Sequence, residues 1–217
     1  MNKREWLRWI VASGAMGASG IVSRALAKGD IPPGVARLDG TLRVNGLEAH
    51  AGTPVKVGDR LATGARTEAV IVVGKDAFLM RSATVIEFKG DQGVLQDLLI
   101  ATGSVLSVFS RKPVTIKASS ASIGIRGTGA YIEVLPTEVY FCLCYGEAVV
   151  EGPGMADKIV RTKHHEEPLL LRQDGSILHA VDGPFRNHTD AELVMLEALV
   201  GREPPFLKDG TYPAKKY

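Results

Sequence analysis

The sequence is poor in cysteine, in long apolar runs and in blocks of like charge. Two cysteines among 217 residues leave a single pair, Cys142 and Cys144, to carry any thiol chemistry. The apolar run at residues 9–22 has about 14 residues, short of the roughly 20 that an α-helix needs to cross a bilayer. Because charged residues are scattered rather than grouped, no nucleic-acid-binding surface is indicated.

The sequence also lacks the usual signatures of an enzyme. It has no phosphate-binding glycine loop and no helical pair of zinc-binding histidines. Ser119, Ser120 and Ser122 have no positioned base beside them, so a serine nucleophile is not indicated. We therefore expect a protein that is not an enzyme and has no catalytic residues.

Residues 1–27 have the organisation of a cleavable signal peptide. A basic segment at residues 2–8 precedes the apolar run, and Ala25-Leu26-Ala27 forms a small-x-small cleavage site. The basic segment resembles the twin-arginine signal, with Lys3 in place of the first arginine. That resemblance implies export of a folded protein to the periplasm, with cleavage after Ala27 and no stable membrane span afterwards.

The charge balance changes once this segment is set aside. It holds four basic side chains and one acidic side chain, so the totals of 26 and 24 fall to 22 and 23, a formal charge of −1. A basic character is thus a property of the signal and not of the mature chain.

Beyond the signal the pattern is almost entirely that of β-strands. From residue 53, short apolar and β-branched runs recur every 8–12 residues or so, separated by glycine-containing turns. This spacing predicts a sandwich, a barrel or a solenoid-like stack. Near the end, Thr189 and Glu192 form a capping box before leucines at helical spacing, which predicts one C-terminal helix.

Five short stretches stand out in order along the chain: residues 57–64 (Val-Gly-Asp-Arg-Leu-Ala-Thr-Gly), 69–80, 103–106 (Gly-Ser-Val-Leu), 125–132 (Ile-Arg-Gly-Thr-Gly-Ala-Tyr-Ile) and 146–150 (Gly-Glu-Ala-Val-Val). Together they resemble the FecR domain, a periplasmic sensing module of bacterial iron-uptake regulators that also occurs in stand-alone proteins. The resemblance implies a non-catalytic, short-stranded, solenoid-like or sandwich-like β fold. Family regulators carry an anti-sigma segment and a membrane helix ahead of the domain, where a signal peptide is predicted here, so the resemblance does not extend to transcriptional signalling or to iron-citrate sensing.

These features divide the chain into five predicted parts. The two terminal parts are the signal peptide and a C-terminal helix with a tail, and the FecR-like β domain lies between two extensions. The predicted bounds are 1–27 for the signal peptide, 28–51 for an N-terminal extension, 52–152 for the FecR-like domain, 153–188 for a β extension and 189–217 for the helix and tail.

The two cysteines lie on the second strand of a predicted hairpin, residues 131–135 and 139–145. Since side chains alternate along a strand, Tyr140, Cys142 and Cys144 are expected on one face, and Val139, Phe141, Leu143 and Tyr145 on the other. Residues i and i+2 of a strand are about 6.6–7 Å apart, at or beyond the limit for an unstrained disulfide. A disulfide in a distorted strand and a pair of buried thiols both remain open.

A metal site is the third interpretation of the cysteine pair. His164-His165 lies about one hairpin further on, and Glu166-Glu167-Pro168 makes a bend there credible, which both rings would need in order to bind one ion. Two thiolates and two imidazoles suit tetrahedral zinc. The predicted metal ligands are therefore Cys142, Cys144, His164 and His165.

Two other metal centres can be bound by thiolates or by thiolates with imidazoles. Copper(I) binds thiolates, and an iron–sulfur cluster of the Rieske type uses two cysteines and two histidines, although the Rieske spacing is absent here. A small redox or electron-transfer protein and a metal-free structural envelope adaptor are the alternatives to a sensing or interaction module. A protein partner in the cell envelope is expected in either of the non-redox cases.

The remaining marked residues are predicted to be structural. Arg126, Gly127 and Thr128 form a glycine-bracketed motif in which the guanidinium ties strand ends together. His50, His179 and His188 are isolated and are expected in loops or at the surface.

Overall fold

The computed structural model describes residues 32–208. The predicted signal peptide and the end of the tail lie outside the described residues. Within them the chain forms 15 strands, one α-helix and a short 3-10 helix, which confirms the all-β class with one C-terminal helix. The elements are β1 (Gly34–Asp39), β2 (Leu42–Val44), β3 (Leu47–Ala49), β4 (Arg60–Thr63), β5 (Glu68–Val73), β6 (Asp76–Met80), β7 (Val85–Asp91), β8 (Val94–Val108), β9 (Pro113–Ala118), β10 (Ala121–Arg126), β11 (Gly129–Val134), β12 (Val139–Glu151), β13 (Lys158–Thr162), β14 (Leu169–Asp174), β15 (Ile177–Asp182), α1 (Asp190–Leu199) and the 3-10 helix Pro205–Leu207.

The strands form two packed sheets that share β8 and β12. Sheet A has the order β1-β5-β6-β8-β11-β12-β14-β15. Sheet B has the order β3-β2-β4-β7-β8-β9-β10-β12-β13. All of these pairs are antiparallel except β8 with β9.

The two shared strands bend sharply where they pass from one sheet to the other. Gly103 in β8 and Gly146 in β12 have φ values of +84° and +102°, conformations that residues with a Cβ rarely adopt. A Cβ on Gly146 would also lie only 2.7 Å from the Cγ2 atom of Thr128. Because β8 and β12 continue through the bend from one sheet into the other, they have 15 and 13 residues. They are longer than the short strands that the turn spacing predicts.

The main hydrophobic core fills the space between the sheets. It takes alternate side chains from both sheets, and its centre is a cluster of aromatic rings in which Phe78 lies 4.9 Å from Phe88 and 5.6 Å from Phe109, centroid to centroid. Strands of sheet B such as β9 and β10 bury alternate residues, as the period of two requires for a sheet with one face in a sandwich core, whereas β5, β6 and β11 of sheet A are buried on both faces.

A second cluster covers the outer face of sheet A. Helix α1 lies on it and contributes Leu193, Leu196 and Leu199, and the 3-10 helix contributes Phe206. The capping box of Thr189 and Glu192 is present at the start of α1, as the sequence predicts. From the strands come Val70, Val72, Ala77, Leu79, Leu106, Val108, Tyr131, Tyr140, Cys142, Cys144, Tyr145 and Leu170.

The predicted position of Tyr145 on the cysteine-bearing strand is wrong. Strict alternation places it on the face opposite Cys142 and Cys144, but it lies in the same outer cluster. The reason is a bulge in the pairing of β11 with β12, where Gly129 pairs with Tyr145 and Ala130 already pairs with Leu143. The remaining residues of the predicted pattern lie on the expected faces.

The β extension is built into both sheets along one side of β12. Its β13 pairs with the second half of β12, and its β14 pairs with the beginning of β12. Between them, residues 163–168 leave the sheet as a loop opposite residues 142–145. We call residues 163–168 the histidine loop, because it carries His164 and His165.

The other predicted motifs lie away from this loop. The Nε atom of Arg126 donates a hydrogen bond to the carbonyl oxygen of Arg111 at 2.9 Å, which ties the end of β10 to the loop before β9. Gly127 has a φ of +64° and its N–H donates to the carbonyl of Ser110. Among residues 32–208, no helix has the length and apolar character that a membrane span requires.

Candidate metal centre

The two cysteines point from the middle of sheet A into the outer cluster. Both lie on β12, are fully buried and are not joined by a disulfide. They leave the strand in the same direction because they are two residues apart on a pleated backbone. The arrangement gives two sulfur atoms on one face of a rigid central strand.

The histidine loop brings the first imidazole to these sulfurs. His165 has a φ of +53°, so the chain turns in the left-handed region at this residue, and its N–H donates to the carbonyl oxygen of Cys144 at 3.1 Å. The bend that the sequence predicts at this position is therefore present. It directs the two neighbouring rings to different places, and only His165 reaches a sulfur atom.

The second imidazole comes from His188, which immediately precedes the N-cap residue of α1. His188 lies in a loop, one of the two predicted places, but it is not at the surface, because only 3% of the residue is exposed. Its ring stacks on the ring of Tyr131 at a centroid distance of 4.5 Å. No local sequence motif predicts that His188 meets Cys144. The two residues are 44 positions apart, and only the fold brings them together.

Three of the six distances among the four donor atoms match those of a tetrahedral metal site. The Sγ of Cys142 lies 3.4 Å from Nδ1 of His165, the Sγ of Cys144 lies 3.5 Å from Nε2 of His188, and the two nitrogens lie 3.2 Å apart. Metal bonds of tetrahedral zinc imply edges of about 3.3 Å between nitrogens and about 3.5 Å between nitrogen and sulfur. All four donor atoms lie within 4.8 Å of one another, close enough to hold a metal ion.

In their neutral forms, both imidazoles direct an unprotonated nitrogen towards this point. Nδ1 of His188 lies 2.7 Å from the carbonyl oxygen of Arg186, and Nε2 of His165 lies 3.1 Å from Oδ1 of Asp190. Because these oxygens only accept, the ring nitrogens facing them carry the hydrogens. Nε2 of His188 and Nδ1 of His165 then present lone pairs to the centre, as metal-ligating histidines with an outer hydrogen-bond partner do.

His164 is not brought to the four-donor centre. Its Nε2 atom lies 2.8 Å from the same Oδ1 atom of Asp190, and its ring stacks on that of Phe206 at 4.5 Å. The structure thus converges on Cys142, Cys144, His165 and His188, whereas the sequence predicts His164 in the place of His188. His164, His165 and Asp190 form an adjoining group beside the centre.

The environment separates the pKa values of the two thiols. The hydrogen bond with Cys144 and those with His165 and His188 outweigh burial and hold the pKa of Cys142 well below its ordinary value. Burial raises the pKa of Cys144 well above its ordinary value, and the neighbouring Cys142 adds to the effect. Of the two thiols, Cys142 therefore ionises first.

Asp190 is the charged partner of the histidines. Burial opposes its ionisation, but hydrogen bonds with His165 and His164 outweigh burial and hold its pKa below the ordinary value. Burial by itself lowers the pKa of His165. The hydrogen bonds with Asp190 and Cys142 outweigh burial, so the pKa of His165 is raised. Asp190 is also the first residue of α1, where a negative charge interacts favourably with the helix dipole.

The centre is enclosed by aromatic rings and has no donor at the protein surface. Tyr131 covers His188, and the ring of Phe185 meets those of His165 and His188 at centroid distances of 4.6 and 4.5 Å. Each of the four donor residues is at most 3% exposed. Four protein donors leave no open position for a substrate, which is the arrangement of structural rather than catalytic metal sites.

Comparison with known proteins adds little to this geometry. No protein-family model matches the sequence, and no curated protein matches it. Two crystal structures of a candidate anti-sigma factor from Parabacteroides distasonis are similar to part of the chain, with TM-scores of 0.48 and 0.47 and identities of 8% and 10%. Each match covers 57% of this chain and 59% of the other. The chain thus spans less than two thirds of these structures, and the site is interpreted from its own geometry.

Proposed function

We propose that the protein is an exported, non-enzymatic β-domain module of the FecR-like type that binds one zinc ion through Cys142, Cys144, His165 and His188. The observation that carries the proposal is the convergence of two sulfur atoms and two imidazole nitrogens within 4.8 Å of one another, in a fully buried position. A periplasmic location and a protein partner in the cell envelope belong to the proposal.

The charge of the centre favours a divalent ion. Two thiolates neutralise Zn²⁺, whereas Cu⁺ would leave a net negative charge in a buried position. Asp190 already places an ionised carboxylate beside His165, so a further uncompensated negative charge would be costly. Zinc is therefore the better match of the two.

The spacing of the donors favours a single ion over an iron–sulfur cluster. In a Rieske-type cluster the cysteines bind one iron and the histidines the other, so sulfide-bridged iron atoms separate the two kinds of donor. Here each sulfur atom is within 3.5 Å of an imidazole nitrogen. This closeness supports a mononuclear site and does not favour the electron-transfer alternative.

A closed site of this kind would stabilise a binding surface or report metal supply, and it would not catalyse a reaction. The ion joins β12, the histidine loop and the start of α1, which are distant in sequence. A sensing or interaction role agrees with this position, because metal occupancy then affects the outer surface of the protein.

Metal content tests the proposal. Native protein purified without added metal is expected to contain close to one zinc per chain by mass spectrometry and to lack visible absorbance. His188→Ala should lose the metal, while His164→Ala should retain it, and His179→Ala on the exposed side of β15 serves as the matched control. Wild-type protein free of metal, or a His188→Ala variant with full metal content, would contradict the assignment.

A further inference from the structure

The last part of the chain is attached to the sheet at the place where the metal donors converge. We call residues 185–208 the C-terminal segment. It supplies His188 to the donor set, and its Asp190 accepts a hydrogen bond from His165. An ion bound here would join the segment directly to β12 and to the histidine loop.

The C-terminal segment and the histidine loop also hold each other in place. The ring of Phe185 packs edge-on against that of His165, and the ring of Phe206 stacks on that of His164. The loop itself lies outside the strand pairing, between β13 and β14. Each element therefore contributes contacts to the other. The loop is also held by hydrogen bonds of its own, from the N–H groups of His164 and Glu166 to Oγ1 of Thr162.

Other contacts also attach the segment to the strands. Glu197 accepts a hydrogen bond from the buried hydroxyl of Tyr145, and Arg186 pairs with Glu133 at 3.0 Å. Helix α1 has only 10 residues, which is too short for an independently stable helix in water. Its ion pair from Glu192 to Arg81 at 2.6 Å involves side chains that are 24% and 26% exposed, so solvent weakens it. The apolar contacts of the segment with sheet A come from its buried residues and from partly buried residues packed against them: Leu193, Leu196, Leu199 and Phe206, with Phe185, Val194, Met195, Val200 and Leu207.

The two sheets do not depend on the segment in the same way. Their shared core lies between them and contains no residue from α1. Loss of the segment would uncover the outer face of sheet A but would leave the inner core intact. The molecule thus has a stable body and one separately attached element.

We propose that the metal ion is a reversible lock for the C-terminal segment. Occupied, the centre holds the segment on sheet A; emptied, it releases residues 185–208 and the histidine loop while both sheets remain folded. This inference rests on the proposed metal site and adds its regulation, the coupling of metal occupancy to the exposure of the outer face of sheet A.

Hydrogen exchange followed by mass spectrometry tests the lock on the full exported chain. Zinc-loaded protein is compared with the same protein after removal of zinc by a chelator, and with the chelated protein after zinc is restored. Exchange in residues 163–168 and 185–208 should become about tenfold faster or more on chelation. Exchange in the central strands β6, β8 and β11 should not change, and added zinc should restore the slow rates.

Glu192→Gln provides a second arm because it removes the ion pair with Arg81 without changing a metal donor. In the zinc-loaded variant, slow exchange of residues 185–208 is expected to persist. Exchange as fast as in the chelated wild type would assign the attachment to the ion pair and overturn the lock.

The outcomes separate this inference from the proposed function. Zinc bound at one per chain, with unchanged exchange after its removal, would overturn the lock and leave the metal site standing. Chelation that accelerates exchange in all strands would also overturn it, since zinc would then stabilise the whole fold. Protein without metal as purified would overturn both.

Discussion

The Nδ1 atom of His165 lies 3.2 Å from the Nε2 atom of His188, and in neutral rings the outer hydrogen bonds leave both atoms without a hydrogen. Two lone pairs at this distance repel each other unless a cation or a proton lies between them. The Sγ atoms of Cys142 and Cys144 lie 3.4 and 3.5 Å away, one beside each nitrogen. A metal ion satisfies all four donors at once, which is why the cluster is better explained by metal binding than by packing alone.

Zinc affinity should fall as the pH is lowered. The raised pKa of Cys144 means that its thiol is protonated near neutral pH, so zinc must displace that proton. Each proton displaced lowers the apparent affinity about tenfold per pH unit below the pKa of the group. Competition with a coloured chelator between pH 6 and 8, together with calorimetry in two buffers, measures this dependence and the number of protons released. An affinity independent of pH would contradict thiolate coordination.

Asp190→Asn should weaken zinc binding without abolishing it. The carboxylate fixes the ring of His165 from the side opposite the donor nitrogen, and loss of such an outer partner typically reduces metal affinity by about 10–100-fold. The same chelator competition gives the magnitude, and the stoichiometry should stay at one. Asp182→Asn, an exposed change at the end of β15, is the matched control and should bind zinc like the wild type.

Gly146→Ala should destabilise the protein more than Gly175→Ala. Both glycines have positive φ values, but the added methyl group would collide with Thr128 at position 146 and meet nothing within 4 Å at position 175. Strain of this kind costs about 1–3 kcal/mol, with the larger cost expected at Gly146. Urea unfolding of both variants measures the difference. Equal free energies of unfolding would show that the bend in β12 does not require glycine.

Asp76 should make the protein less stable as the pH rises through the acidic range. Burial raises the pKa of this carboxyl above its ordinary value of 3.8, although its acceptance of the Ser110 N–H opposes the shift. The folded state therefore binds the proton more tightly than the unfolded state, so this contribution is full below pH 3.8 and is lost as the pH rises through the higher folded value.

Asp76→Asn is the direct test of that contribution, because it keeps an acceptor for Ser110 and removes the titration. Unfolding free energies of the variant and the wild type should diverge with pH across this window and run parallel above it. A constant difference at all acidic pH values would contradict the role of Asp76.

The local pattern was sufficient for the class of fold and for part of the site. Alternating residues and glycine turns predict the strands, and the capping box at Thr189 predicts the helix, because both depend on neighbours in sequence. The same alternation places Cys142 and Cys144 on one face of β12. The bend at His165 was also predictable, from the acidic pair and proline that follow it. The FecR resemblance, export and the partner stay predictions.

What the tertiary structure alone decided is the partner of the cysteines. His164 and His165 are adjacent in sequence, but the left-handed turn at His165 sends one ring to Cys142 and the other to Asp190. His188 has no local signal, and it reaches Cys144 only because α1 packs across the outer face of sheet A. The period of a strand fixes which way a side chain points, whereas the pairing of distant segments fixes what it meets.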